Sequence, residues 1–198
     1  VYALMAKAAG LDVPEVHLFS ARNGSGYFAT KRFDRHGHKR VHIHSACGLL
    51  HSDFRTPSLD YQDLIALTST LTRDIGEVEK LFQLSVFNVL AHNRDDHAKN
   101  FSFLINTAGE WKLSPAYDLT FSSGPGGEQS TMVMGEGRAP GIEHLIKLGQ
   151  EAKLNQKYID NTISHTQRAL SKWKALAKEY GVSRENITLI DKKIMSIA

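Results

Sequence analysis

Cysteine is almost absent from this sequence. Among its 198 residues only Cys47 is a cysteine, so the chain can form neither an internal disulfide nor a zinc site built from several thiolates. A lack of disulfides is typical of a reducing compartment, and we expect a cytoplasmic protein.

Long apolar runs and a dominant charge are lacking as well. No stretch approaches the roughly 20 apolar residues that cross a bilayer, so we expect no membrane partner. Lysine and arginine number 24 against 21 aspartate and glutamate, and the net charge of +3 is scattered, which gives little support to direct nucleic-acid binding. A composition that is 41% hydrophobic and 23% charged is typical of one folded domain with at most a small subdomain.

An initiator methionine is also missing. Residues 1–10 already have the composition of a helix, rich in alanine and closed by a glycine. We therefore expect the sequence to begin inside a longer protein.

The hydrophobic pattern predicts an α+β protein with strands early and helices late. The predicted elements are a helix at 1–10, a hairpin at 13–33, a strand at 41–45, a loop at 51–59, helices at 61–76 and 77–92, a strand pair at 101–106 and 111–114, and helices at 142–153, 155–180 and 183–197. The glycine-rich residues 124–141 are interpreted equally well as a flexible loop or as a functional one.

A dense polar segment follows the most apolar predicted helix. It reads AHNRDDHAKNF and covers residues 91–101. Aspartate and asparagine in such a place are ordinarily turn and cap residues. The segment therefore indicates chemistry only if a second feature of the sequence supports it.

The hairpin that follows is this second feature. If its turn is residues 107–110, antiparallel pairing places Asn100 opposite Tyr117. Asn100 and Asp118 then meet at the open end of the hairpin, with Asp95 close by. An amide oxygen and a carboxylate are ligands that Mg²⁺ accepts, usually together with phosphates and waters. The sequence therefore predicts a magnesium site at this end of the hairpin.

The spacing of these side chains is similar to that in protein kinases. There the pattern H-R-D-x-x-x-x-N supplies a base and one metal ligand, and a later aspartate supplies another ligand. Asp95 and Asn100 keep this spacing, and Asp118 stands where the later aspartate is expected. Asp96 as the base would break the spacing, so we interpret it as a helper or a cap.

Longer segments resemble the HipA-type serine/threonine kinases, the toxins of bacterial toxin–antitoxin pairs. The resemblance rests on FNVLAHNRDDHAKNFSFL and WKLSPAYDLTFS, and it extends through AKAAGLDVPEVHLF, TKRFDR, GPGGE and GEGRAPG to about residue 154. The residues after that point match only in being helical.

The resemblance implies a fold with two regions. The fold is α+β, namely a protein-kinase-like C-terminal lobe, mostly helical with short hairpins, with a truncated N-terminal lobe. Residues 1–45 are then the remnant of the N-terminal lobe, with a helix, strands and the adenine hinge. Residues 46–198 are the helical C-terminal lobe, with the catalytic loop and the metal-binding hairpin.

The resemblance also implies the roles of four residues in phosphoryl transfer. Asp95 is the catalytic base that orients the hydroxyl of a protein serine or threonine. Asn100 and Asp118 hold Mg²⁺. Lys99 stabilises negative charge on the transferring phosphoryl group.

Four further residues are implied to bind the nucleotide. Lys31 and Phe33 offer backbone groups to the adenine, and Asp34 belongs to the same hinge segment. Ser45 stands where a contact with ribose or phosphate is expected. The implied cofactors are ATP and Mg²⁺, the implied substrate is a protein, and the implied partner is an antitoxin through which DNA is contacted only indirectly.

The sequence departs from the kinase pattern in one respect. Kinase chemistry also uses a strand lysine and a loop that covers the phosphates, and we recognise neither in this chain. The glycine-containing stretches NGSG and SGPGGE stand in the wrong context to replace that loop. We therefore expect the chain alone to be weakly active.

Two other functions stay open from the sequence. One is a non-catalytic interaction module that binds an antitoxin or a DNA complex. The other is a metal-dependent nuclease or phosphohydrolase, which would need several carboxylate or histidine ligands on one ion.

The histidines allow a zinc site in principle, but such a site needs three or four convergent ligands. Surface histidines and hydrogen-bonding histidines are the favoured interpretation, and the residues in question are His36, His38, His42, His44 and His51. His92 and His97, which flank the polar segment, are interpreted as structural hydrogen-bonding residues.

Overall fold

A computed structural model describes residues 1–24, 26–53 and 59–197. Its helices are α1 (Tyr2–Ala8), α2 (Ala46–Leu49), α3 (Tyr61–Thr72), α4 (Ile75–Leu90), α5 (Ile142–Glu151), α6 (Gln156–Leu170), α7 (Trp173–Glu179) and α8 (Arg184–Met195). Its strands are β1 (Val16–Phe19), β2 (Tyr27–Thr30), β3 (Arg35–His36), β4 (Lys39–Arg40), β5 (His42–Ser45), β6 (Leu59–Asp60), β7 (Ser102–Ile105), β8 (Trp111–Leu113) and β9 (Thr131–Met132).

The strands form small sheets rather than one large sheet. Strands β1 and β2 pair as a hairpin, as do β3 and β4, while β5, β7 and β8 form a three-stranded antiparallel sheet in that order. Strands β6 and β9 pair in parallel. The predicted α+β order, with strands early and helices late, is thus confirmed, whereas the loop predicted at 51–59 falls largely on residues 54–58, outside the described residues.

Helix α4 is the centre of the hydrophobic core. The side chain of Asp74 accepts a hydrogen bond from the Gly76 amide at 2.8 Å, which caps the start of the helix. Apolar side chains then cover most of its circumference, with Phe82 and Phe87 fully buried. Helices α3, α5 and α6 pack around it, so the position where α4 ends is fixed from several sides.

Helix α1 is attached to the C-terminal end of α4. The hydroxyl of Tyr2 donates to the carbonyl oxygen of Ala91 at 2.6 Å. The Tyr2 ring also lies edge-on to Phe87 and to Trp173, with ring centroids 6.3 and 5.9 Å away. The first residues therefore help to hold the start of the polar segment.

Glu77 joins the other end of α4 to the three-stranded sheet. It is almost completely buried, and its Oε2 accepts a hydrogen bond from the amide of Leu113 at 2.8 Å. Strand β8 is an edge strand, so this bond satisfies a backbone donor that no other strand reaches. The nearby Lys80 ammonium lies 2.7 Å from Oε1 and balances the buried charge.

Replacing Glu77 by alanine is expected to destabilise the fold. The Glu77→Ala variant leaves the Leu113 amide without its acceptor, which costs about 1–3 kcal/mol in the free energy of unfolding. Denaturant unfolding measures the loss. Glu185→Ala is the matched control, because Glu185 also lies in the first turn of a helix but is exposed, and its loss stays within about 0.5 kcal/mol. Equal losses in the two variants would contradict the role of the Glu77 bond.

The predicted register of the hairpin is wrong by one residue. Ile105, not Asn106, lies opposite Trp111, so the turn between the strands is shorter than predicted. The side-chain oxygen of Asn106 accepts from the amides of Ala108 and Glu110 at 2.9 and 3.0 Å, and Gly109 takes a positive φ of 82°. A three-residue turn closed by a left-handed glycine is the physical reason for the shift.

The helix predicted at 155–180 is two helices. Ser171 and Lys172 separate α6 from α7 and keep right-handed backbone angles. The Ser171 hydroxyl donates to the carbonyl oxygen of Arg168 at 2.9 Å and so competes with the helical hydrogen bonds. Helix α7 then begins at Trp173, whose buried indole donates to the carbonyl of Ile187 at 3.0 Å. The break lets Trp173 pack against α8.

In the part of the chain that the structure describes, every helix is too short or too polar to cross a bilayer.

Candidate active site

The polar segment forms a turn that begins directly at the end of α4. His92 has a positive φ of 56°, and the amide of Asn93 donates back to the carbonyl of Asn88 at 2.8 Å. The segment ends in a 3₁₀ turn at Ala98–Asn100, where the Asn100 amide donates to the His97 carbonyl at 2.8 Å. Strand β7 follows, so the segment is held between a buried helix and a sheet.

Asp95 and Asn100 are joined inside this segment. The side-chain amide of Asn100 donates to the backbone carbonyl of Asp95 at 2.9 Å. This bond directs the amide nitrogen inward and leaves the Asn100 carbonyl oxygen as the atom that can meet a cation. The Asp95 side chain is 55% exposed, and its Oδ1 lies 4.0 Å from Nε2 of His97. Its carboxylate is therefore accessible to a substrate.

Tyr117 links the residues around Asp118 to the same segment. Its hydroxyl donates to the carbonyl of Lys99 at 2.5 Å and lies 2.6 Å from the hydroxyl of Ser102. Burial raises the pKa of this phenol, so the hydroxyl remains a donor. Because Tyr117 and Lys99 directly precede Asp118 and Asn100, the two predicted metal ligands come from neighbouring stretches of backbone.

Asp118 has an unusual backbone conformation. Its φ is 57°, a left-handed value that few residues other than glycine adopt, and outliers of this kind cluster at functional sites. The side chain borders a cavity of about 830 Å³ whose walls also include Val1, Thr30, Phe28 and Val182. That volume lies in the range of small-molecule sites. Among the described residues that line it, Asp118 is the one from the predicted set.

The predicted hinge, residues 31–34, lies against the residue that precedes Asp118. The ring of Phe33 is 5.6 Å from the ring of Tyr117, so the hinge contacts the stretch that leads to Asp118. The amide of Lys31 donates to the carbonyl of Glu15 at 2.8 Å. At Lys31 the carbonyl oxygen is thus the backbone atom left for a ligand.

Asp34 is a structural brace of the hinge. Its buried carboxylate accepts two hydrogen bonds from Arg32, at 2.8 and 2.6 Å, and one from Arg35 at 2.5 Å. The hydrogen bonds from Arg32 hold the pKa of this carboxyl below its usual range. Its carbonyl accepts from the Val41 amide at 3.0 Å, so Asp34 ties the hinge to the start of β5.

Ser45 and Lys99 occupy the ends of short elements. The Ser45 hydroxyl accepts from the Gly48 amide at 3.3 Å and caps α2, and Ser45 pairs with Ser102 across the sheet. Lys99 is exposed in the 3₁₀ turn. Both residues therefore lie near the open end of the hairpin.

Asp96, interpreted from the sequence as a helper or a cap, is the centre of a buried polar cluster. It is 0% exposed. Its Oδ2 accepts from the hydroxyl of Tyr61 at 2.6 Å and from the side-chain amide of Gln129 at 2.8 Å, and its Oδ1 accepts from the Thr131 amide at 3.1 Å. Burial raises the pKa of this carboxyl to about 7, and the three donors oppose the rise.

The cluster reaches α4 through two asparagines. The side-chain amide of Asn88 donates to the Tyr61 hydroxyl at 2.9 Å, and that of Asn93 donates to the Asn88 oxygen at 3.0 Å. Gln129 also donates to the Asn93 carbonyl at 2.9 Å. Sequence patterns missed this cluster because its members come from distant segments; two adjacent aspartates after an apolar helix are the one local signal.

Arg94 attaches the glycine-rich residues 124–141 to the polar segment. Its guanidinium donates to the carbonyl of Gly127 and, at 2.9 Å, to that of Arg138. Gly124 lies so close to Arg94 and Glu128 that a β-carbon there would overlap both. These contacts anchor the loop and argue against its being merely flexible, while a functional role for residues 124–141 stays a prediction.

His92 is a buried neutral histidine. Its ring stacks on Phe121 with centroids 5.5 Å apart, and its carbonyl accepts from the Ser122 amide at 3.1 Å. Burial lowers the pKa of His92 to about 4. The residue therefore joins the polar segment to the stretch after Asp118 as a structural element.

Oxygen donors dominate at the predicted metal site. The Asn100 carbonyl oxygen and the Asp118 carboxylate suit a hard cation such as Mg²⁺, which takes few ligands from the protein itself. Within residues 1–24, 26–53 and 59–197, no group of three or more histidine, cysteine, aspartate or glutamate side chains is arranged for a metal. The donor set thus fits magnesium held together with phosphates better than zinc.

Comparison with known proteins connects this chain to a family. A family model described as "HipA-like C-terminal domain" matches residues 1–173. A protein of Sinorhizobium fredii named "Putative kinase Y4dM" is 26% identical over 211 residues, covering 96% of this chain and 51% of that protein. Another from the same organism, "Putative kinase Y4mE", is 32% identical over 126 residues, covering 58% of this chain and 30% of that protein. The chain thus spans about half the length, or less, of these curated relatives.

Solved structures share the fold. HipA of Shewanella oneidensis MR-1, solved in a toxin–antitoxin complex with HipB and its operator DNA, matches with a TM-score of 0.75 at 17% identity, covering 98% of this chain and 53% of that one. The Helicobacter pylori proinflammatory kinase CtkA matches with a TM-score of 0.50 at 11% identity, covering 98% and 86%. The resemblance found in the sequence is confirmed, and the fold is of the α+β type found in HipA.

Proposed function

The chain belongs to the family of HipA-like C-terminal domains, and from this premise we propose that it is the catalytic region of an ATP-dependent serine/threonine protein kinase. The observation that carries the proposal is the bond from the Asn100 amide to the Asp95 carbonyl. It joins the predicted base to a predicted metal ligand at the spacing that kinases use.

Phosphoryl transfer depends mainly on positioning and on charge neutralisation. Asp95 accepts the proton of the attacking hydroxyl, for which its exposed carboxylate is suited. Asn100 and Asp118 hold Mg²⁺, which would neutralise charge on the phosphates. Lys99, exposed beside them, stabilises the transferring phosphoryl group.

The nucleotide lies against the hinge. The carbonyl of Lys31 and the backbone of Phe33 meet the adenine, Asp34 holds the hinge in shape through Arg32 and Arg35, and Ser45 lies near the ribose or a phosphate. The rings of Phe33 and Tyr117 are in contact, and Tyr117 directly precedes Asp118. This contact supports a nucleotide that extends from the hinge to Asp118.

The fold is a kinase C-terminal lobe preceded by a partial N-terminal lobe. Residues 1–45 form the partial lobe with the hinge, and residues 46–198 form the C-terminal lobe. The first region packs on the second through helix α1, through Phe33 and through strand β5, which pairs with β7. The substrate is a protein, and the kinase acts in the cytoplasm as the toxin of a toxin–antitoxin pair, with an antitoxin through which DNA is contacted only indirectly.

A transfer assay tests the proposal. The longest natural form of the protein, incubated with γ-labelled ATP, Mg²⁺ and bacterial lysate proteins, transfers label to serine or threonine. Removal of Mg²⁺ by a chelator abolishes the transfer. Label that appears without Mg²⁺, or no label at all, would contradict the proposal.

The predicted metal ligands are tested by binding. Asn100→Ala and Asp118→Ala weaken the affinity for ATP·Mg by about tenfold or more, because each removes an oxygen ligand of the cation. Calorimetric titration measures the change.

The control for this titration is Asp160→Ala, which removes an exposed carboxylate on α6 and leaves the affinity unchanged. Equal affinities in all variants would show that Asn100 and Asp118 are not ligands. A wild-type chain that binds no ATP·Mg would favour the non-catalytic interaction module.

A further inference from the structure

We propose that Asp96 is a positioning residue that clamps the loop carrying Asp95 onto residues 129–131. The inference rests on the proposed function, because Asp95 is the base in that proposal. We call the five residues of this cluster the Asp96 clamp, and they are Tyr61, Asn88, Asp96, Gln129 and Thr131.

The clamp joins four segments that are far apart in the sequence. Tyr61 begins α3, Asn88 belongs to the last turn of α4, and Gln129 and Thr131 come from the glycine-rich residues 124–141. All of them meet at Asp96 or at the Tyr61 hydroxyl. A single side chain therefore sets the position of the loop relative to two helices and the following segment.

Both oxygens of the Asp96 carboxylate accept hydrogen bonds. Tyr61 and Gln129 reach one oxygen, and the Thr131 amide reaches the other. The backbone of Asp96 contributes as well, since its carbonyl accepts from the Thr131 hydroxyl at 2.5 Å. Hydrogen bonds of this number to a fully buried group leave it little freedom to rotate or shift.

The residue before Asp95 is held by the same segment. The carbonyl of Arg94 accepts from the amide and the hydroxyl of Ser130, at 3.1 and 2.8 Å. Residues 94 and 96 are thus both fixed to residues 129–131, while the Asp95 side chain between them extends into solvent. The loop directs Asp95 outward because its two neighbours are directed inward.

The two adjacent carboxylates thus have different roles. Asp95 is accessible and makes few contacts, as a base that meets a substrate must be. Asp96 is inaccessible to any substrate and acts only through the position of Asp95. A misplacement of a catalytic group by about 1 Å can lower a rate by about a hundredfold, so loss of the clamp is expected to reduce turnover.

The decisive experiment compares Asp96→Asn with Thr68→Val in the longest natural form of the protein. Asparagine keeps the shape of Asp96, but its NH₂ group faces donors where the carboxylate accepted. Thr68 is a fully buried polar residue of α3 that bonds within its own helix, to the carbonyl of Leu64 at 2.7 Å. The control therefore perturbs the core without touching the clamp.

Two readouts are expected to change together in Asp96→Asn. The kcat for transfer falls by about tenfold or more, while the KM for ATP stays within about twofold, because the hydrogen bonds of the clamp do not involve the hinge residues. Hydrogen exchange at the Thr131 and Ser130 amides becomes about tenfold faster. In Thr68→Val both readouts stay at the wild-type level once the thermal stability has been matched by temperature.

If Asp96→Asn does not fold, Tyr61→Phe replaces it in the experiment. It removes one donor to the carboxylate and keeps the ring, and it shows the same changes to a smaller degree. An unchanged kcat, or unchanged exchange at Thr131, in a folded variant would overturn the clamp. If the wild type transfers no phosphate, the proposed function fails, whereas the exchange comparison still decides whether Asp96 holds the loop.

Discussion

We expect Asp95→Asn to abolish nearly all phosphoryl transfer and to leave the fold unchanged. The variant keeps the size of the side chain but cannot accept the substrate proton, and a positioned base contributes about 10²–10⁴-fold in rate. The bond from Asn100 is made to the backbone carbonyl of Asp95, so it survives the substitution. The loss therefore reports chemistry rather than the position of Asn100.

Single-turnover kinetics with saturating ATP·Mg measure the effect directly. The thermal midpoint stays close to that of the wild type, because the Asp95 carboxylate is more than half exposed and surface substitutions change stability by about 0.5 kcal/mol or less. Asp160→Asn, on the exposed face of α6, keeps full activity. Undiminished transfer by Asp95→Asn would refute its role as the base.

The second large effect that we expect is a pH dependence of stability whose two contributions oppose each other in the wild type. Folding raises the pKa of Asp96 from 3.8 to about 7 and lowers the pKa of His92 from 6.5 to about 4. Between pH 4.5 and 6.5 the folded state holds an extra proton on Asp96 and lacks one on His92. Each imbalance changes the free energy of unfolding by up to about 1.4 kcal/mol per pH unit, and because the two slopes have opposite signs they offset each other.

Two single-residue variants separate the two pH dependences of the free energy of unfolding. In Asp96→Asn only the histidine slope remains, so the free energy of unfolding rises as the pH increases from 4.5 to 6.5. In His92→Asn only the Asp96 slope remains, so stability falls as the pH increases and levels off above about 7. Asparagine is chosen at His92 because it tolerates the positive φ there.

Urea unfolding at several pH values measures these curves. Hydrogen bonds lower the pKa of Asp34 from 3.8 and that of Glu136 from 4.5. These two groups therefore change stability at and below the acidic end of the window, and they do so alike in all variants. Parallel curves for the wild type and Asp96→Asn would show that Asp96 does not take up a proton on folding. Parallel curves for the wild type and His92→Asn would show that His92 does not release a proton on folding.

Local patterns were enough to predict much of the fold. The wide apolar face of α4 and the alternation in β5 depend on neighbouring residues only, and the structure has both elements. The interpretation of residues 91–100 as a functional loop also rested on local spacing, and the structure shows the Asn100 amide bonded to the Asp95 carbonyl within that loop. The roles of Asp95, Asn100 and Asp118 remain predictions.

Features that depend on distant residues or on backbone conformation could not be predicted from the sequence. The register of β7 and β8 is set by the left-handed conformation of Gly109, which the residue type permits but does not require. The break before Trp173 depends on the carbonyl of Ile187, in another helix. Asp96 meets Tyr61 and Thr131, each 35 residues away, and no local pattern indicates such partners.

The hydrogen bond between Glu77 and Leu113 joins the two ends of a long stretch of the chain. These residues are 36 positions apart, and most of α4, the polar segment and the β7–β8 hairpin lie between them. The entropy of closing a loop grows only slowly with its length, so this stretch can behave as one cooperative unit. We therefore expect the terminal helices α7 and α8 to open and reclose on their own, while Asp95 and Asn100 stay in place.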